Sequence, residues 1–172
     1  MGILPYNEEE RYIFVGREAE TQELYGRVIR NGYTVYYAAS GEGKSSLIKA
    51  GLLPILRGIN YFPIYIVFTE DDFAQQDDGI ENIIHRHIVA EIARYNEKID
   101  NENQKVELKH SLWFENNKQN IDSIDFLENN EWWKIRNFRI VQKTSSGEKE
   151  FIPLLIFDQF EEVFTKTSMS PL

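Results

Sequence analysis

The sequence predicts an α/β domain, a mostly parallel β-sheet flanked by helices. Three stretches carry this expectation: a glycine-containing turn around 40–46 between a β-like run and a helix-like one, a nearly unbroken apolar run from Tyr61 to Phe68, and a second apolar run, Ile152–Phe157, that stops at Asp158. Short continuous apolar runs suit strands covered on both faces, and amphipathic helices between them supply the covers.

Each element has its own signal. From Arg17 to Arg30, Leu24, Tyr25, Val28 and Ile29 fall on one helical face, after the apolar run Tyr12-Ile13-Phe14-Val15 and Gly16. Asn31-Gly32 breaks that period, and the aromatic and β-branched stretch Tyr33–Ala39 predicts the first sheet strand. A helix starting at Lys44 runs through Leu47, Ile48 and Ala50 and is expected to bend or stop near Pro54, whose ring fits poorly inside a helix. Tyr61–Phe68 is the second strand, and Ile80, Ile83, Ile84, Ile88, Ile92 and Tyr95 mark an amphipathic helix. From Asn96 to about Asn130 the chain is rich in Asn, Glu, Lys and Asp, which predicts helical pieces inserted between strands. Phe138–Gln142 and Glu150–Phe157 flank the turn-like Lys143–Glu148, a hairpin-like excursion before the last strand, which carries Pro153 near its start.

Composition narrows the functional classes. At 172 residues and 42% hydrophobic, the chain can build one domain with a real core. A formal net charge of −9 argues against a surface that coats nucleic acid, which needs clustered Lys and Arg. There is no cysteine, so neither a disulfide framework nor a thiolate metal site is possible. The N-terminus lacks the basic start and apolar core of a signal peptide, and no apolar run is long enough to cross a bilayer. Its Met-Gly start lacks the Ser or Thr of a myristoylation motif, Tyr6 standing there instead. A soluble, cytoplasmic protein is expected.

The strongest chemical signal is Ser40-Gly41-Glu42-Gly43-Lys44-Ser45-Ser46. A P-loop (Walker A) wraps phosphate oxygens with successive backbone N–H groups, adds the dipole of the following helix and extends a lysine to the terminal phosphates. Gly41 and Gly43 allow the backbone its close approach, Lys44 is the cation, Ser45 offers a hydroxyl to Mg²⁺, and Ser46 adds a contact along the phosphate chain. The first glycine of the usual pattern is Ala38 here, the next smallest residue. A turn without ligand is the bland alternative. An apolar strand ending in an acid makes the motif more specific, and Asp158 supplies it as a Walker B-like Mg²⁺ residue. Glu161 and Glu162 are candidate water-activating catalytic residues, although each also fits an acid at a helix N-terminus. The glutamate often found directly after the Mg²⁺ aspartate is Gln159 here.

Other tempting residues fit structural roles better. His85 and His87, two apart on a helix, point to different sides and make a poor metal pair. Asp71-Asp72 and Asp77-Asp78 read as solvated loop acids, and Trp132-Trp133 as packing residues.

Three blocks together resemble the bacterial novel STAND NTPases: Phe14-Val15-Gly16-Arg17-Glu18-Ala19-Glu20, Ser40 through Pro54, and Leu155-Ile156-Phe157-Asp158-Gln159-Phe160-Glu161-Glu162-Val163-Phe164. These are multidomain signal-transduction ATPases related to AAA+ and NLR switch proteins. The resemblance covers the first third and the final strand; Asp71 to about Gln142 has no matching motif, and 96–142 reads as a poorly matched insertion. It implies a P-loop NTPase fold in which Phe14, Val15, Gly16 and Arg17 lie beside adenine and ribose, the Lys44 loop holds the phosphates of ATP or ADP, and Asp158 holds Mg²⁺. It also implies an ATP-dependent switch in signalling or defence, with sensor and effector domains elsewhere in a longer parent and nucleotide-dependent self-assembly. Residues 1–172 would then be the N-terminal part of the ATPase domain. The sheet of that class places a further strand, from later in the chain, between the P-loop strand and the Asp158 strand. An incomplete sheet and weak turnover are therefore expected of this chain alone. The alternatives are a nucleotide-responsive interaction module without turnover, suggested by Gln159, and a small-molecule phosphotransferase, for which lid arginines are not evident.

Overall fold

The computed structural model describes residues 4–39, 41–73, 80–110 and 138–160. The chain divides into two compact units, Met1–Pro63 and Ile64–Leu172.

In the first unit a 3₁₀ turn, Glu8–Glu10, precedes helix α1 (Glu18–Arg30). Its acidic first turn, Glu18 and Glu20, and basic last turn, Arg27 and Arg30, both complement the helix dipole. Of the expected apolar face, Leu24 is buried while Ile29 is exposed, so the packed stripe is narrower than the sequence suggests.

The second helical run starts at Lys44, as expected, and passes Pro54. It comprises α2 (Lys44–Ser46), a π-helical segment (Leu47–Leu52) and α3 (Leu53–Arg57). In a regular α-helix the Pro54 ring would collide with the carbonyl of Ala50, four residues back. The wider π turn, in which the Leu53 N–H reaches five residues back to the Ile48 carbonyl, absorbs the proline as the helix continues. Leu47, Leu52, Leu53 and Leu56 form the buried side.

Tyr33–Ala39 differs from expectation. It lies in no described strand, and Tyr33, Val35 and Tyr37 are 86%, 83% and 92% exposed. The Thr34 hydroxyl is buried without a hydrogen-bond partner. β-propensity alone makes no strand, because a strand is stabilised by ladder bonds and by packing across the pleat. No described ladder includes this segment.

The second unit is built on a four-stranded sheet of order β1-β4-β3-β2, with β1 Tyr61–Val67, β2 Val106–His110, β3 Phe138–Thr144 and β4 Gly147–Asp158. β1 begins at the end of the first unit and continues into this one. Ile64 and Ile66 are fully buried although β1 is the sheet's edge strand, so they are covered by packing on the face of the sheet. The described ladders correct the mostly parallel expectation. β2 pairs antiparallel with β3 from Val106↔Gln142 to His110↔Phe138, and β3 with β4 from Ile140↔Phe151 to Thr144↔Gly147. The predicted hairpin forms as β3 and β4, and its second arm and the predicted last strand are one continuous strand, β4. The ladder with β3 ends at Phe151, so the missing N–H of Pro153 falls beyond it and costs no bond to β3.

Helix α4 (Ile80–Glu97) buries Ile83, Ile84, Ile88 and Ile92 at helical spacing. Beyond it Glu102–Gln104 is a 3₁₀ turn, while Val106–His110 is a strand where helical pieces are expected, and Asn96 at the end of α4 meets that strand's start. The Asn96 side chain accepts from the Val106 N–H and donates to the Val106 carbonyl, both at 2.9 Å, and so acts as a short surrogate strand at the start of β2. Residues 111–137, with Trp132 and Trp133, lie outside the described residues, as do Asp77 and Asp78.

Candidate functional site

In the first unit the glycine turn winds through two left-handed residues before the helix that begins at Lys44. Gly41 and Gly43 adopt left-handed φ values of +85° and +74°, and the Glu42 N–H closes the turn on the Ala39 carbonyl at 3.3 Å. The helix after the turn begins at Lys44, with the Leu47 N–H bonded to the Gly43 carbonyl at 2.9 Å. Lys44 Nζ folds back over the turn and donates to the Ala38 and Ala39 carbonyls at 2.8 and 3.0 Å. The lysine is thus held at the mouth of its own loop. Ser40 lies outside the described residues.

Two groups brace this loop. Arg17 Nη1 donates to the Glu42 carbonyl at 3.2 Å and lies against Gly43, where a Cβ would stand 3.7 Å from it. Arg17 Nε forms an ion pair with Glu20 Oε1 at 2.9 Å. The N-terminal segment straps the helix at both ends. The Tyr6 N–H donates to Ser46 Oγ at 3.1 Å, and Arg57 Nε meets both Glu8 carboxylate oxygens at 2.9 and 3.2 Å. Ser46 is buried, and its hydroxyl is engaged by that strap.

Phe14, Arg17, Glu18, Thr21, Gly51 and Ile55 line an open cleft of about 160 Å³. Ligand sites usually span roughly 300–1,000 Å³, so this cleft is smaller than most of them. Val15 is exposed, and Gly16 takes a φ of +84°. Glu18 turns back to accept the Gly16 N–H at 3.0 Å, and its own and Gly16's backbone N–H groups hold its carboxyl below the usual range. Gly51 is a residue whose role the sequence signals only as a glycine inside a helix. A Cβ there would lie 2.7 Å from Thr21 Oγ1 and 3.2 Å from Thr21 Cγ2. Thr21 is buried, and its hydroxyl donates to the Arg17 carbonyl at 2.8 Å, so it cannot swing aside freely. Gly51→Ala is therefore expected to destabilise the first unit by about 2 kcal/mol through overpacking. A melting temperature equal to wild type would show that α1 can withdraw without cost.

In the second unit Asp158 ends β4, as the sequence predicts. Tyr65 of β1 donates its hydroxyl to Asp158 Oδ2, and the Gln159 N–H donates to Oδ1 at 3.1 Å. Gln159 has a φ of +57°, which is uncommon for a residue with a Cβ. Phe68, Phe157 and Phe160 form an aromatic cluster beside it, with Phe68 and Phe157 stacked at 5.9 Å. Glu161 and Glu162 lie outside the described residues.

Asp72 is not the solvated loop acid expected. Its Oδ2 accepts the N–H and hydroxyl of Thr69 at 2.7 and 2.8 Å, and its Oδ1 meets His87 Nε2 at 3.1 Å, tying the turn after β1 to α4. Burial pushes its carboxyl up, but the Thr69 bonds and the His87 ring outweigh that and leave it below the usual range. A depressed carboxyl stabilises the fold above its unfolded pKa, about 3.9, and the benefit disappears as pH falls through the folded value. The stability gap between wild type and Asp72→Asn in urea should thus be present at neutral pH and close in acid. A gap that persists unchanged into strong acid would contradict this.

A magnesium ion fits the donor chemistry. Mg²⁺ takes hard oxygen ligands, keeps several waters and is held by one or two protein groups together with phosphates. Ser45 and Asp158 are donors of that kind. Among the described residues there is no cluster of three or more acidic, His or Cys side chains that would form an all-protein metal cage. None of the described helices is long and apolar enough to cross a membrane.

Comparison with curated proteins and with solved structures finds no match to this chain. A family model does match it: Novel STAND NTPase 1 aligns with residues 1–171, nearly the whole length, including the Gly41–Ser46 loop, the Arg17 segment and the Asp158 strand. The chain belongs to the novel STAND NTPase family.

Proposed function

We propose that this chain is the nucleotide-binding core of an ATP-dependent molecular switch. The observation that carries the reading is the Gly41–Lys44 turn. It combines two left-handed glycines, a helix opening at Lys44 and a lysine amine at the loop mouth, in a chain of an NTPase family. In this reading the loop amides and Lys44 hold the phosphates of ATP or ADP. Phe14, Val15, Gly16 and Arg17 flank adenine and ribose, and Phe14 and Arg17 line the cleft. Ser45 in the first unit and Asp158 in the second would offer oxygen ligands to magnesium, whose charge would offset that of the phosphates.

Orientation falls to the protein's own groups. Arg17 steadies the loop through the Glu42 carbonyl, and the Tyr6 and Glu8 strap fixes the helix behind it. Glu161 or Glu162 would position or deprotonate the attacking water. Hydrolysis, signalling or defence output, self-assembly and cytoplasmic location belong to a longer parent in this reading.

A second reading is favoured by Gln159: a nucleotide-responsive module without turnover, since an amide cannot act as a general base. Phosphate release measured with Mg-ATP, with and without small-molecule acceptors, separates the readings. Release without an acceptor supports the switch, binding without release supports the silent module, and acceptor-dependent transfer would replace both with a phosphotransferase.

A further inference from the structure

We infer that Tyr65 is a positioning residue for the Asp158 carboxylate, an inference that rests on the reading of Asp158 as a magnesium ligand. In β1 the fully buried Ile64 and Ile66 share one face of the strand, and Tyr65, half-buried, points to the other. A phenylalanine would satisfy the apolar pattern at position 65 equally well. The hydroxyl adds the bond to Asp158 Oδ2 from a neighbouring strand, 93 residues away in sequence.

The second carboxylate oxygen is engaged too, by the Gln159 N–H at 3.1 Å, so donors on both sides fix the plane of the group. The left-handed backbone of Gln159, φ +57°, is a conformation that costs free energy and persists only where the surroundings impose it. A ligand carboxylate held in this way meets its metal at a lower entropic cost. Loss of such an outer contact typically weakens metal affinity about 10–100-fold.

The test uses the full chain as wild type, Tyr65→Phe and Asp158→Asn. ADP is titrated by calorimetry in excess Mg²⁺ and again in EDTA, and the ratio of the two affinities gives the metal-dependent increment. The expected result is an increment reduced about 10-fold in Tyr65→Phe, with EDTA affinity and melting temperature as in wild type. Asp158→Asn is expected to lose most of the increment. An unchanged increment in Tyr65→Phe beside a lost one in Asp158→Asn would overturn the role of Tyr65 and leave the metal reading standing. Equal weakening of Tyr65→Phe with and without Mg²⁺ would reduce Tyr65 to a packing residue. An intact increment in Asp158→Asn would remove the metal reading and this inference together. A second measurement avoids the Phe variant: 3-fluorotyrosine placed at position 65 should change its ¹⁹F shift when Mg-ADP binds, and should not do so in the Asp158→Asn background. A shift unmoved by Mg-ADP, or moved equally in both backgrounds, would overturn the inference.

Discussion

Lys44→Ala is expected to abolish practical nucleotide binding, with an affinity loss of about 100-fold or more. The size comes from two charge-assisted hydrogen bonds to phosphate, each worth roughly 1.5–3 kcal/mol, against about 1.4 kcal/mol per tenfold in affinity. The structure adds a second reason. Lys44 Nζ also bonds the Ala38 and Ala39 carbonyls at 2.8 and 3.0 Å, so its removal loosens the turn that presents the amides. Lys44→Arg should rescue poorly, because a planar guanidinium cannot reproduce a compact ammonium bridging two adjacent carbonyls. Calorimetry with ADP and Mg-ATP decides the matter: equal affinities for wild type and Lys44→Ala would end the assignment of this loop.

Asp158→Asn is expected to lower Mg²⁺-dependent hydrolysis by about 10²–10³-fold, the scale for one preorganised transition-state contact, while binding falls much less. An asparagine keeps the shape and one acceptor oxygen but removes the charge that holds a cation against the developing negative charge of the transferring phosphoryl group. The assay belongs in the longest polypeptide that contains this chain, because a transition-state arginine from another domain or subunit contributes strongly in related switches. Turnover unchanged from wild type would make Asp158 an ordinary strand-end acid.

How much of the molecule is legible in the sequence depends on the range of each interaction. Helices α1 and α4 and strand β1 are legible because a period of apolar residues reports its own burial, as with Ile83, Ile84, Ile88 and Ile92. The Gly41–Lys44 turn is legible for a related reason: the proposed phosphate binding needs backbone freedom at Gly41 and Gly43 and a helix start at Lys44, all within a few residues. Asp158 is legible as the acid closing an apolar run. The passage of the helix through Pro54 is not, because a π turn depends on hydrogen-bond register, which carries no composition signal. The strand expected at Tyr33–Ala39 rests on propensity, while strand formation rests on a partner.

Residue type and spacing alone point to the family, to the helix starts at Glu18 and Lys44 and to the proposed phosphate residues, because those properties are local. Folding alone settled the antiparallel pairing of β2 with β3, the close approach of Gly51 to Thr21, the tie of Asp72 to His87 and the bond from Tyr65 to Asp158. Each of these joins groups from separate elements. A hydroxyl inside an apolar run or an acid in a polar stretch acquires its role from the partner that folding brings within hydrogen-bond distance, and that distance has no counterpart in sequence spacing.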